Sequence, residues 1–210
     1  MKLGIVGTGT MGMVLRDWAQ EEGTFDTVYM IEPVEKNTWP REAVDLLIDF
    51  SHPEALKYIY AYCRQMGGNI PVVIATTGYG QAEETLVHLL EKICPVARSS
   101  NYARGIGVMT ELCRLGGSLA DGNWDIRLTE THHTKKKDAP SGTARSLCRV
   151  LHLDPEDKTQ VQSLRMGTVY GEHTVYFALE DEIIQVKHTA LSKKIFAIGA
   201  LEAGKKLLNH

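Results

Sequence analysis

Residues 130–147, ETHHTKKKDAPSGTARSL, gather two adjacent histidines, three consecutive lysines and a helix-start pattern in a chain whose formal charge is −3. A histidine near its natural pKa can deliver a proton at neutral pH, which suits His132 or a neighbour to the acid half of a reduction. Pro140 favours a boundary, so a helix is expected from Ser141 or Gly142. The first amides of such a helix lack intrahelical partners, and the small residues Ser141, Gly142 and Thr143 leave room there for a substrate carboxylate. One ammonium from Lys135, Lys136 or Lys137 adds attraction of about 4 kcal/mol at about 4 Å and an effective dielectric near 20, before desolvation is subtracted. A lone histidine is usually structural and a lysine run is usually solvated. Their convergence on one helix start instead points to a small polyanionic substrate, with one lysine turned inward and two in solvent.

The second stretch with chemistry is GIVGTGTMG, where Gly7, Gly9 and Gly12 make a G-x-G-x-x-G pattern directly after an apolar strand. Glycines there allow a tight turn and close approach of a pyrophosphate, and the following helix N-terminus offers free N–H groups and partial positive charge. Thr8, Thr10 and Met11 belong to the same turn. Glu32 ends the next strand at the spacing where a carboxylate accepts hydrogen bonds from ribose hydroxyls and repels a 2′-phosphate. A nicotinamide dinucleotide is therefore the expected cofactor, NADH in preference to NADPH. ATTGYG (75–80) and RSSNYARG (98–105) follow later strands, at the edge where open α/β sheets bind ligands.

The elements that must position these groups alternate. Lys2 to Val6, VYMIE (28–32), DLLIDF (45–50), PVVIATT (71–77) and PVARSS (95–100) read as buried strands of a parallel sheet. Helices are expected from Met11 to Glu22 and from near Pro53 and Gln81. The segment PVEKNTWPREAV carries two prolines and is too short for a crossover helix, so a loop is expected. Beyond residue 103 the order changes to a helix (105–119), a strand (123–132), a helix (142–151) and three strands (161–188), which reads as an antiparallel α+β lobe. FAIGALEAGKKLL should pack back on the first lobe. The expected fold is thus α/β, a Rossmann-like doubly wound parallel sheet with a second, smaller α+β domain. Residues 1–103 and 195–210 would form the dinucleotide-binding domain, and residues 104–194 the substrate-binding and oligomerisation domain.

Hydrophobic content of 43% and charged content of 23% are ordinary globular values. The slightly acidic balance gives no field for nucleic acid or anionic lipid. No apolar run approaches the roughly 18 residues of a membrane span, and the opening MKLGIVGTG lacks a cleavable signal pattern, so a cytoplasmic protein is expected. Cys63, Cys94, Cys113 and Cys148 lie far apart without metal-ligand spacing; they read as small core residues, with neither disulfide nor metal.

The run E-T-H-H-T-K-K-K-D-A-P-S-G-T closely resembles the signature of the dihydrodipicolinate reductase family, and IDFSHPEA, ATTGYG, SSNYARGIGV, RMGTVYGEHTVYF and HTALSKKIFAIGA resemble further family segments in family order. The resemblance implies NAD(P)H-dependent reduction of 4-hydroxy-tetrahydrodipicolinate to tetrahydrodipicolinate in lysine and diaminopimelate biosynthesis. It implies that His132 protonates the carbon next to the one receiving hydride, that Lys136 assists, and that His133, Gly142 and Thr143 hold the substrate carboxylates. For the cofactor it implies Gly7, Gly9, Thr10, Met11 and Gly12 at the phosphates and Glu32 at the ribose. Ala75, Thr76, Thr77, Ser99, Ser100, Asn101 and Tyr102 would surround the nicotinamide half. A homotetramer built through the second domain's sheet is also implied. Three features depart from the family pattern: a glycine loop one residue shorter with Thr10 in place of a basic residue, a shortened segment around 33–45, and Lys193 where arginine is frequent. Two other readings of the same residues are reduction of a related imine or amino-dicarboxylate, and a non-catalytic nucleotide-binding sensor.

Overall fold

The computed structural model describes residues 1–209, and the chain divides into two compact units. The first comprises Met1–Tyr102 and the segment from Lys194 onward; the second is Ala103–Lys193.

In the first unit, β1 (Lys2–Val6), β2 (Thr27–Ile31), β3 (Leu46–Asp49), β4 (Val72–Ile74) and β5 (Val96–Arg98) form one parallel sheet in the order β2-β1-β3-β4-β5. Apart from Lys2 and the buried Asp49 at their ends, β1, β3 and β4 are apolar because both sheet faces are covered. On one face Val6, Leu47, Val72 and Ile74 pack with Leu56, Ile59, Val87 and Leu90 from α2 (Leu56–Gln65) and α3 (Gln81–Glu91). On the other, Leu3, Ile5, Leu46, Ile48 and Val73 meet Leu15 and Ala19 of α1 (Thr10–Glu22) and Ala197, Ala200 and Leu201 of the C-terminal helix, Lys194–Leu208. That last helix approaches closely because Gly199 has no side chain: a Cβ there would lie 1.7 Å from the Tyr102 carbonyl oxygen.

The β2-to-β3 connection is a loop with a single 3-10 turn, Lys36–Thr38. Trp39 does part of the covering that a crossover helix would do. Its ring lies 5.0 Å from that of Tyr62, and its Nε1–H donates to the Pro33 carbonyl at 3.1 Å. Because β2 and β3 flank β1, the chain winds away on both sides of it, which opens a crevice at the strands' carboxyl ends.

The second unit contains α4 (Arg104–Leu119), β6 (Asp125–His132), α5 (Gly142–Leu151), β7 (Val161–Arg165), β8 (Glu172–Ala178) and β9 (Ile183–Thr189); the C-terminal helix is hence α6. Its sheet order is β7-β6-β8-β9. The expectation of an antiparallel lobe needs correction, because β6 and β7 run parallel while β6–β8 and β8–β9 are antiparallel. The physical reason is α5: a helix between β6 and β7 carries the chain back to the starting end, so the next strand repeats the direction of the first. All four cysteines are free and buried, and no helix among the described residues is long and apolar enough to cross a membrane.

Candidate active site

Strand β6 ends in three buried residues, Glu130, Thr131 and His132. Side chains two apart on a strand share a face, and Glu130 Oε2 meets His132 Nδ1 in a short hydrogen bond. The parallel register sets Arg165, at the end of β7, opposite His132. From there its guanidinium binds Glu130 in a fork, Nη1 to Oε2 at 3.1 Å and Nη2 to Oε1 at 2.9 Å. The Ser141 amide donates to the same Oε1 at 3.2 Å. Burial by itself would raise the Glu130 carboxyl, but the hydrogen bonds from His132 and Arg165 outweigh it and hold the group at about 2. Glu130 is thus a buried, ionised carboxylate with both oxygens occupied.

Ser141 caps α5, its Oγ accepting from the Ala144 amide at 3.2 Å. The same hydroxyl lies 3.2 Å from His173 Nε2. The His173 and His132 rings form a T-shaped pair with centroids 5.2 Å apart. Burial first, and the neighbouring His132 charge second, push His173 down to about 3, so it is neutral at physiological pH. Glu130, His132 and His173 bring donor atoms within 4.8 Å of one another. The Arg165 guanidinium on the same carboxylate sets a positive charge beside them, so the cluster reads as a proton network rather than a set of metal ligands.

Next to the network the potential is positive. His133 is half-buried, and burial followed by the charges of Lys193, His132, Lys136 and Arg165 lowers its pKa. Lys136 is the half-buried lysine of the run and pairs with Asp138 at 2.8 Å; Lys135 and Lys137 are exposed. Lys193 lies 6.0 Å from the Tyr170 ring centre. At the start of α5, Ser141 and Thr143 are buried and Gly142 is half-buried. The second unit therefore holds a histidine, several cations and a helix N-terminus together, an arrangement suited to binding a small anion and moving a proton.

Glu130, Arg165 and His173 were not singled out from the sequence. Glu130 carried a usable signal, since its side chain must share the strand face of His132. Arg165 and His173 lie in the family-like segment RMGTVYGEHTVYF, but only the register of β7 and β8 beside β6 shows what they touch.

In the first unit the glycine turn joins β1 to α1. Gly7 has φ +105°, where a side chain is strained, and a Cβ on Gly12 would lie 1.9 Å from the Gly7 carbonyl oxygen. Gly9, the N-cap of α1, has open space within 4 Å of its Cβ position, no side-chain cap and no acidic residue in the first turn that follows. Thr8 and Thr10 are exposed and Met11 half-buried. Glu32 Oε2 accepts from the Thr8 hydroxyl at 2.9 Å, so the carboxylate stands beside the turn. After β4, Ala75 is half-buried, Thr77 exposed, and Thr76 buried with its Oγ1 accepting from the Ser51 amide at 3.0 Å. After β5, Ser99 Oγ bridges the Asn101 amide and carbonyl, and the Tyr102 hydroxyl donates to the Ile74 and Ala97 carbonyls. Ser99 and Tyr102 thus brace these loops, while Ser100 is exposed.

Comparison with known proteins matches residues 1–102 to the family described as dihydrodipicolinate reductase, N-terminus, and residues 105–210 to dihydrodipicolinate reductase, C-terminus. The chain is 37% identical over 212 residues to a 4-hydroxy-tetrahydrodipicolinate reductase of Thermosipho africanus, covering 100% of this chain and 92% of the relative. A Brachyspira hyodysenteriae protein of the same name is 36% identical over 226 residues, covering 99% and 94%. Among solved structures, a dipicolinate-bound dihydrodipicolinate reductase from Paenisporosarcina sp. TG-14 superposes with TM-score 0.72 at 18% identity, covering 100% and 95% of the two chains. An aspartate dehydrogenase from Thermotoga maritima shares the fold more distantly, with TM-score 0.52 at 14% identity and 99% and 96% coverage.

Proposed function

The chain belongs to the dihydrodipicolinate reductase family, and from that premise we propose the division of labour among its residues. It is an oxidoreductase that uses a nicotinamide nucleotide to reduce 4-hydroxy-tetrahydrodipicolinate to tetrahydrodipicolinate, a step of lysine and diaminopimelate biosynthesis. The observation that carries the reading is 37% identity over the whole chain to a relative of that name, joined to a buried Glu130–His132 pair beside a cluster of cations.

The first unit fits the nucleotide. Gly9 and the uncapped start of α1 leave a cradle into which a side chain would otherwise project, and its first amides can meet a pyrophosphate. Gly7, Thr8, Gly9, Thr10, Met11 and Gly12 hold the phosphates in this reading, Glu32 the ribose, and residues 75–77 with 99–102 the nicotinamide half. When bound, the nucleotide supplies hydride. The Glu32 carboxylate disfavours a 2′-phosphate, so NADH is the preferred cofactor. His133, Ser141, Gly142 and Thr143 hold the substrate carboxylates, with Lys136 as anion partner and assisting donor. His132 delivers a proton to the carbon next to the one that receives hydride.

Homotetramer formation through the second unit is supported by its exposed apolar side chains: Leu115 is 57%, Leu119 74% and Ile184 52% exposed. Introducing Leu119→Asp with Ile184→Asp should lower the sedimentation mass; an unchanged mass would remove this face from assembly.

Turnover is tested by nucleotide oxidation on adding freshly generated substrate, with NADH and NADPH titrated in parallel. His132→Gln should lower kcat by about 100-fold or more while nucleotide affinity stays within about twofold. Unchanged turnover in that variant would remove His132 from the reaction, and NADPH binding more than about tenfold tighter than NADH would overturn the cofactor preference.

A further inference from the structure

We propose that Glu130, clamped by Arg165, is a positioning residue that holds His132 with its proton on Nδ1, so that Nε2 is the nitrogen that exchanges a proton with substrate. The inference rests on His132 being the proton donor, but it concerns which nitrogen acts and what decides it.

Arg165 reaches both Glu130 oxygens, and the Ser141 amide adds a third donor on Oε1. An ionised carboxylate accepts hydrogen bonds and donates none. Held at about 2, Glu130 is ionised throughout the physiological range, so the short contact with Nδ1 requires the proton on the histidine side. Two fork contacts and one backbone contact also prevent the carboxylate from rotating away. The backbone of His132 is fixed as well, because its carbonyl accepts from the Met166 amide at 2.8 Å.

The other ring nitrogen has a different setting. Nothing but a glycine could stand opposite it unchanged: a Cβ on Gly171 would lie 3.0 Å from His132 Nε2. His173 meets His132 in a T-shaped arrangement, and its own Nε2 is turned to Ser141. In the reaction, the Nε2–H bond breaks and a C–H bond forms on the substrate carbon. The electron pair of the former N–H stays on Nε2. The ring is left neutral, its Nδ1–H still bound to Glu130, and solvent restores the proton. A ring tethered at Nδ1 thus returns each time to the same tautomer, ready at the same nitrogen.

Glu130→Gln tests this without requiring turnover. At the Oε1 position the amide NH2 of glutamine would face two donors, the Ser141 amide and Arg165 Nη2; at Oε2 it meets one, Arg165 Nη1, and can donate to Nδ1, so the NH2 turns toward Nδ1. Facing Nδ1, it demands a lone pair there and selects the Nε2–H form. Long-range 1H–15N spectra of the neutral imidazole in the full-length protein should show a single Nδ1–H tautomer for wild-type His132 and loss of that single form in Glu130→Gln. In parallel, kcat should fall by more than about tenfold and by no more than in His132→Gln, since Glu130 acts through that ring, with nucleotide affinity within about twofold. Gly171→Ala should lower kcat while leaving the Nδ1–H tautomer intact, which a merely structural role for the network does not predict. Should Glu130→Gln not fold, Glu130→Asp withdraws the carboxylate by one methylene and should also lose the single tautomer. An unchanged Nδ1–H tautomer in the Gln or Asp variant, or kcat within about tenfold of wild type in Glu130→Gln, overturns the proposal. Full activity in His132→Gln would instead overturn the proton-donor reading, whatever the spectra show.

Discussion

Replacing Glu130 by glutamine should change how stability depends on pH as well as how fast the enzyme turns over. The folded carboxyl titrates at about 2 against an ordinary 4.5, and its side chain is fully buried. That difference corresponds to about 3 kcal/mol at pH 7. Because the folded value lies below the unfolded one, the contribution is complete above about pH 4.5 and disappears as pH falls through 2. At pH 3 about 1 kcal/mol remains, so the wild-type-minus-variant difference should shrink by about 2 kcal/mol between pH 7 and pH 3. Taking this difference cancels the groups that titrate alike in both chains. The charge-assisted bonds from Arg165 are part of this pH-dependent contribution, because they hold the carboxyl down, whereas altered packing around the glutamine adds an offset that does not change with pH. Two units need not unfold together, so the probe should report only the second. Urea unfolding followed by Trp124 fluorescence, in a chain carrying Trp18→Phe and Trp39→Phe, meets that need. A difference that stays constant from pH 7 to pH 3 would refute the ionised, hydrogen-bonded carboxylate at Glu130.

His173 should act on the other side of neutrality. Its value of about 3 lies below the ordinary 6.5, so the unfolded chain binds the extra proton first and stability should fall as pH drops below about 6.5. The loss is about 2 kcal/mol by pH 5; the same urea titration on His173→Asn should lack it, and an identical slope in both proteins would contradict a buried neutral imidazole. At the glycine turn, Gly12→Ala places a Cβ 1.9 Å from the Gly7 carbonyl oxygen. The turn must open, and nucleotide affinity measured by fluorescence titration should drop by about 100-fold or more. Unfolding of the second unit should be unaffected, and wild-type affinity would show that the turn does not bind the phosphates.

Much of the fold was legible in the chain because the relevant signals are local. Apolar runs of β1, β3 and β4 announce strands covered on both faces, and the G-x-G-x-x-G turn announces the strand-to-helix corner that Gly7 and Gly12 then make sterically necessary. The helix beginning at Gly142 follows from Pro140 and the Ser141 cap. The parallel pairing of β6 and β7 did not follow, since strand direction depends on how the intervening helix returns the chain.

For the site, the sequence by itself determined which groups are present: His132, His133, the lysines and the glycine turn stand in short contiguous motifs whose spacing fixes their local geometry. It also determined that Glu130 shares a strand face with His132, because side chains alternate along a strand. Only the tertiary structure decided that Arg165 clamps Glu130 and that His173 meets His132 in a T-shaped pair. Those contacts join residues far apart in the chain through the register of β7 and β8 on β6. Register is set by the packing of the whole sheet against its helices, which no stretch of neighbouring residues encodes.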